Sequence, residues 1–144
     1  AVAIAAIGPG AAEAIPALQK ALADDDFDVR HAAAYALGQI GEDARAATSN
    51  LTNALNDDAT AAIAAWALAQ IDSESEKVAQ VAVPSLIVSL DANDAIQREQ
   101  AAHALAEFGA LAADAKDALV YASEDPDPIV RAAATRALKA VAGE

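Results

Sequence analysis

Apolar positions recur along this chain at helical spacing, and the short elements they mark repeat. In the stretch VRHAAAYALGQI, at about 100° per residue, Val29, Ala33, Ala36, Leu37 and Ile40 fall on one side of a helix, with His31, Ala34, Tyr35 and Gly38 opposite. The end of that stretch, AYALGQIG, has relatives at AWALAQID, AHALAEFG and ATRALKAVAG, each of which follows an acidic loop. Leu37, Leu68, Leu105 and Leu138 anchor these helices, and the helices preceding them align on Leu18, Leu51, Leu86 and Leu119. The period is about 33 residues, in the range of two-helix repeats. It predicts one array over residues 1–144: a partial copy at 1–8, a trailing second helix, then helix pairs at about 11–41, 45–72, 76–109 and 112–142.

Helix punctuation fits this division. Pro16 and Pro84 are expected near the first turns of their helices, where a missing N–H costs little, and Gly41 and Gly109 follow second helices as C-caps. Pro126 and Pro128 are assigned to a loop between helices. The middle copy has a shorter loop, NDDATAAI, and a longer connection, DSESEKVAQVAV, and loops are where a stacked repeat tolerates such changes.

Composition explains why the copies must stack. Alanine makes up about a third of the chain and aromatics 3%. Alanine loses no side-chain entropy in a helix and lets helix axes approach closely. A helix so poor in bulky side chains buries too little alone to offset its ordering entropy, so neighbouring pairs must share a core. The expected class is all-α.

The combination of IPALQKAL, an acidic loop, VR and AAAYALGQIG resembles the HEAT repeat, most closely the alanine-rich bacterial type also seen in phycobilisome lyase subunits. The resemblance covers essentially the whole chain and implies a right-handed α-solenoid whose second helices line an inner, concave face. It also implies that the recurring Arg30, Arg98 and Arg131 bond to loop carboxylates or carbonyls of their own or the adjacent repeat. The second pair lacks that arginine, and Gln97 replaces the valine of the VR dipeptide.

Charge narrows the partners. A net charge of −13 repels phosphate backbones and anionic headgroups, so nucleic-acid and membrane-surface binding are disfavoured and a basic protein or peptide is favoured. The absence of cysteine removes disulfides, thiolate metal sites and thiol nucleophiles, and suits either redox compartment. The apolar opening AVAIAAIG is too short to span a bilayer and has no basic flank.

Candidate chemistry is sparse. Asp24, Asp26 and Asp28 have the alternate spacing of a calcium loop, but Val29 and Tyr35 stand where such a loop needs glycine and a bidentate glutamate. A HEAT-like iron hydroxylase family carries paired His-Glu motifs at similar helix starts; here His31 precedes Ala32, and His103 lies two repeats away, beyond sharing a metal with it. The serines fall on first helices or connections, away from the histidines. No catalytic residue, metal or cofactor is expected.

One column exceeds background. Two positions before each anchoring leucine stand Tyr35, Trp66, His103 and Arg136, with Val2 in the partial copy. Gln39, Gln70 and Glu107 flank it on one edge, His31 and Glu99 on the other. Tyr, Trp and Arg are enriched in binding hot spots because they bury large area and keep a polar handle. The sequence therefore predicts a non-catalytic scaffold that binds a peptide or protein segment along this column. One alternative is a bilin-lyase-like subunit of an enzyme complex. The other is an internal segment of a longer solenoid, in which case apolar terminal helices, with Val130, Leu138 and Val141 in the last, would invite end-to-end contacts.

Overall fold

A computed structural model describes residues 8–144. The expected trailing helix, apart from Gly8, lies outside the described residues, and Val2 with it. The described elements are helical: α1 (Ile15–Ala21), α2 (Phe27–Ile40), α3 (Thr48–Ala54), α4 (Ala61–Asp72), α5 (Glu76–Ser89), α6 (Ala95–Phe108), α7 (Lys116–Ala122) and α8 (Pro128–Ala142). Tight 3₁₀ segments, Gly8–Ala14, Gly41–Ala47 and Gly109–Ala115, lead into α1, α3 and α7. No strand occurs among the described residues, and none of their helices is long and apolar enough to cross a membrane.

The helices gather into two compact units, the first ending at Asp72 and the second beginning at Ser73. In the first, α1 packs on α2, α3 on α4, and the second helices α2 and α4 lie against each other. The second unit repeats the arrangement, with α5 on α6, α7 on α8 and α6 against α8. The anchoring leucines form the cores: Leu37, Leu51, Leu68, Leu105 and Leu119 are fully buried, and Leu18 and Leu86 nearly so. Around them lie alanines such as Ala33, Ala36, Ala64 and Ala101, whose small side chains let the helices approach closely.

Local signals set the boundaries. Asp26, Asp94 and Asp127 cap α2, α6 and α8, their carboxylates accepting from the backbone N–H groups of Asp28, Ile96 and Ile129. Such a cap contributes about 1 kcal/mol. Gly41 and Gly109 end α2 and α6 with φ of 71° and 53°, a left-handed conformation that a side chain would strain. Pro16 sits in the first turn of α1, as expected.

Four expectations change. Pro84 lies inside α5, because the long connection of the third pair is itself helical from Glu76, capped by Ser75. Pro128 opens α8 instead of lying in the loop. Ala34 and Gly38 are buried although the wheel places them opposite the core, since a stacked second helix is covered on more than one side. Val29, assigned to the core side, is 38% exposed in the first turn of α2. In α8, Val130 and Val141 are buried and Leu138 is partly open, while Ile129 is exposed.

Candidate binding face

The starts of the second helices are held by a recurring arginine staple. In the first unit Arg30 donates from Nη1 to the carbonyls of Asp24 (2.8 Å) and Asp25 (2.9 Å) in its own loop. Its Nε reaches Asp57 Oδ2 of the following pair at 3.1 Å. Asp57 is shared: the buried Thr60 hydroxyl donates to the same Oδ2 at 2.7 Å. The Thr60 hydroxyl, then the Ala59 amide and Arg30, hold the Asp57 carboxyl below its ordinary value of 3.8, against a smaller opposing effect of desolvation.

In the second unit Arg98 repeats the geometry on the carbonyls of Ala92 and Asn93 and engages Asp125 with two bonds, Nε to Oδ2 at 2.8 Å and Nη2 to Oδ1 at 2.9 Å. These bonds, with that of the Asp127 amide, lower the Asp125 carboxyl from 3.8 although burial pushes it up. The acids Asp24 and Asp26 act within their own turn, accepting from the amides of Asp26 (2.9 Å) and Asp28 (2.8 Å).

On this frame the predicted column takes a definite form in the first unit. The rings of Tyr35 on α2 and Trp66 on α4 stack with centroids 5.4 Å apart and planes 11° apart, both side chains half-buried. Gly38, one turn after Tyr35, makes room for the indole: a Cβ there would collide with Trp66 Cζ3. Glycine within a helix costs up to about 1 kcal/mol relative to alanine, so its place here, in the last turn of α2, is tied to the ring it seats. On the edges of the stack Gln39 is exposed and Gln70 half-buried, and exposed His31 packs on Phe27 with centroids 5.7 Å apart.

In the second unit the column is polar. His103 is half-buried with Nε2 3.5 Å from Glu99 Oε1 one turn earlier, a contact that becomes an ion pair when the imidazole is protonated. Glu107 is exposed. Arg136 is exposed and lines a shallow groove of 620 Å³ with Ser123, Arg131, Ala132, Thr135 and Lys139. The structure thus joins Tyr35 to Trp66 and His103 to Glu99. The residues that sequence reasoning did not single out are Gly38 and Thr60. A glycine three residues after a tyrosine, before the capping Gly41, was the visible signal for the first; a threonine next to the missing arginine was that for the second.

The family model for HEAT repeats matches residues 1–71 and 48–139. The chain belongs to the HEAT-repeat family. Its all-α fold of helix pairs is the HEAT-type solenoid fold, a repeat scaffold of the protein-interaction kind. Among solved structures it is similar to an engineered protein at 28% identity and a TM-score of 0.73, covering 97% of this chain and 70% of that one. A second engineered protein matches at 26% identity and a TM-score of 0.70, covering 96% of this chain and 41% of that one. The complex of CpcE and CpcF of phycocyanin lyase from Nostoc sp. PCC7120 matches at 28% identity and a TM-score of 0.68, over 92% of this chain and 54% of that chain. No curated protein matches it. The alanine-rich HEAT pairs and the likeness to a lyase subunit are both as the sequence led us to expect.

Proposed function

We propose that this chain is a non-catalytic scaffold that binds a peptide or protein segment along its second helices, with the Tyr35–Trp66 stack as the anchor. The observation that carries the reading is the stack itself. Two large aromatic faces stand half-open in a chain with 3% aromatics, and a glycine is kept in the last turn of α2 to seat one of them. Rings held in place before a partner arrives lose little freedom on binding, which is what makes aromatic anchors efficient. Gln39, Gln70 and His31 supply polar contacts at the rim in the first unit. His103, Arg136, Glu99 and Glu107 play that part in the second. The charge of −13 favours a basic segment.

The test uses the single tryptophan as reporter. An array of Lys/Arg-rich peptides is screened, and the best is titrated against wild type, with Trp66 fluorescence and calorimetry as readouts. Tyr35→Ala and Trp66→Ala together should cost at least tenfold in affinity, on the order of a hot-spot loss. Equal calorimetric affinity for wild type and the double variant would exclude the stack as the contact.

The likeness to the lyase complex favours a second reading, a subunit of a two-protein enzyme assembly. An absorbance scan after mixing with a bilin, and with a candidate partner subunit, separates it from the first.

A further inference from the structure

The first helices of the two units differ on the side turned away from their cores. Aligned on the anchors Leu18, Leu51, Leu86 and Leu119, the position two residues later is Lys20, Asn53, Val88 and Tyr121, and the position one residue later is Gln19, Thr52, Ile87 and Val120. In the first unit this row is polar and ties itself down. Gln19 donates to Ala46 O at 2.8 Å and to Asn50 Oδ1 at 3.0 Å, and the Thr52 hydroxyl donates to Thr48 O at 2.9 Å. In the second unit the row is apolar and open.

Tyr121 and Val88 are 80% and 75% exposed, more than any other large apolar side chain among the described residues, and they hold the same register position on α7 and α5. Val81 lies two turns before Val88 on the same face of α5, with exposed Pro84 between them, and Val120 is exposed beside Tyr121. Leu111 is exposed in the 3₁₀ segment that leads into α7, and α5 packs against that segment, so the apolar positions of both helices belong to one surface. The core closes on Leu86 and Leu119 without them. Contiguous apolar surface of this kind marks a contact with another molecule, whereas apolar residues scattered singly do not.

Charge at the two ends of the face says what covers it. Lys77 stands four residues before Val81 on α5, and Glu124 four residues after Val120 at the end of α7. Both are exposed, and among the described residues neither makes an ion pair. Taken in opposite directions the two spacings match: lysine, one turn, valine on α5, and glutamate, one turn, valine on α7. An α5 laid antiparallel on a second α7 therefore sets opposite charges together and valine on valine in a single register. Each copy brings both helices, so a two-fold axis makes the same contact twice.

We propose that two copies of this chain pair through this face, α5 of each antiparallel to α7 of the other, with Val81 against Val120 and Tyr121 and Lys77 against Glu124. Val88 then lies toward Leu111 of the second copy. The pairing uses none of the residues of the aromatic stack, so it is independent of the peptide binding proposed there. Two short helices per copy give a small face beside the roughly 800 Å² per partner of a standard interface, and a net charge of −13 on each copy opposes it. The contact is therefore a weak, micromolar one that strengthens as salt screens the repulsion.

Sedimentation equilibrium of the purified chain at about 0.15 M salt, over roughly 5–500 μM, should give a mass that rises with concentration and levels at that of a dimer, because a two-fold contact is closed. Tyr121→Ser removes an exposed ring twice per dimer. It should weaken association roughly tenfold or more while leaving the thermal melt of the dilute chain in place. Lys77→Glu should weaken association by roughly threefold or more, and Lys77→Glu combined with Glu124→Lys should restore it, since the two charges exchange places. Trp66→Ala should leave it unchanged. A monomer at every concentration overturns the proposal, and so does association that Tyr121→Ser leaves intact or that the charge exchange fails to restore.

Discussion

The two units use the same arginine staple and differ in how tightly it closes. Arg98 holds Asp125 by two bonds, and the side chains are only 15% and 8% exposed. Arg30 holds Asp57 by one, with exposures of 20% and 41%. The cause lies three residues beyond each aspartate. Thr60 donates to the same Asp57 oxygen that Arg30 reaches, whereas Pro128, three residues beyond Asp125, has no hydroxyl, and Asp125 accepts the Asp127 amide and the two guanidinium bonds. Thr60 stands just before Ala61, which begins the second helix where the others have arginine. One recurring pattern thus yields a tight clamp in the second unit and a shared, wetter one in the first. The first unit carries the aromatic stack and the second a polar column, so the better clamped unit is the one with the less apolar second-helix face.

The largest expected effect tests whether the units answer separately. Leu37 and Leu105 are equivalent and fully buried, so either change to alanine should cost about 2–5 kcal/mol from lost burial and the cavity left behind. Trp66 belongs to the first unit and reports on it. In urea titrations Leu37→Ala should therefore shift the fluorescence midpoint further than Leu105→Ala, while circular dichroism registers both. Equal fluorescence shifts would show that the difference between units stops at the staples and does not reach their stability.

Breaking each staple ranks next. Arg98→Ala strands a mostly buried carboxylate, and Arg30→Ala leaves one that water and Thr60 still satisfy, so the melting temperature should fall further in the first variant. The reverse order would make the second bond and the burial of Asp125 irrelevant. Acid sharpens the contrast. Both carboxyls titrate below their ordinary 3.8 in the folded chain, so protons bind the unfolded chain more readily than the folded one across that interval. The staples' contribution is present above 3.8 and is lost as pH falls through the folded values. Between pH 7 and pH 5 these two groups should leave the melting temperature unmoved, and below pH 3.8 the wild type should lose stability faster than Arg98→Ala.

What the sequence discloses here is whatever repeats. The leucine anchors and the capping glycines recur in register and land where their spacing implies, save Leu138, which stays partly open, and the staple arginines take the role that the HEAT resemblance implies. What escapes is relational. A wheel drawn for one helix puts Ala34 and Gly38 opposite the core, because it does not contain the neighbouring helix that covers them. Pro84 reads as a first-turn proline because the other copies begin their first helices late, after a 3₁₀ segment; the third copy has no glycine there and starts its helix at Glu76. The column of Tyr35 and Trp66 was legible as a column, but the seat of the indole on Gly38 was not, since it depends on the spacing between α2 and α4.

That seat gives the smallest expected change in stability and the most local readout. Gly38→Ala gains about 1 kcal/mol of helix propensity and must push aside the indole, whose stack on Tyr35 contributes about 0.5–1.5 kcal/mol. The two nearly offset, so the urea midpoint should move little while Trp66 emission shifts to the red as the ring swings into water. At Ala106, the matching position in the second unit, a methyl is already present and no aromatic ring has to be seated. The reverse change, Ala106→Gly, should therefore cost the full propensity difference, about 1 kcal/mol, and leave the emission unchanged. If Gly38→Ala instead stabilises the chain by the full amount with no change in emission, the indole has room that the geometry denies it. The difference between the two second-helix faces would then lie in composition alone, without a glycine kept to hold an aromatic ring in place.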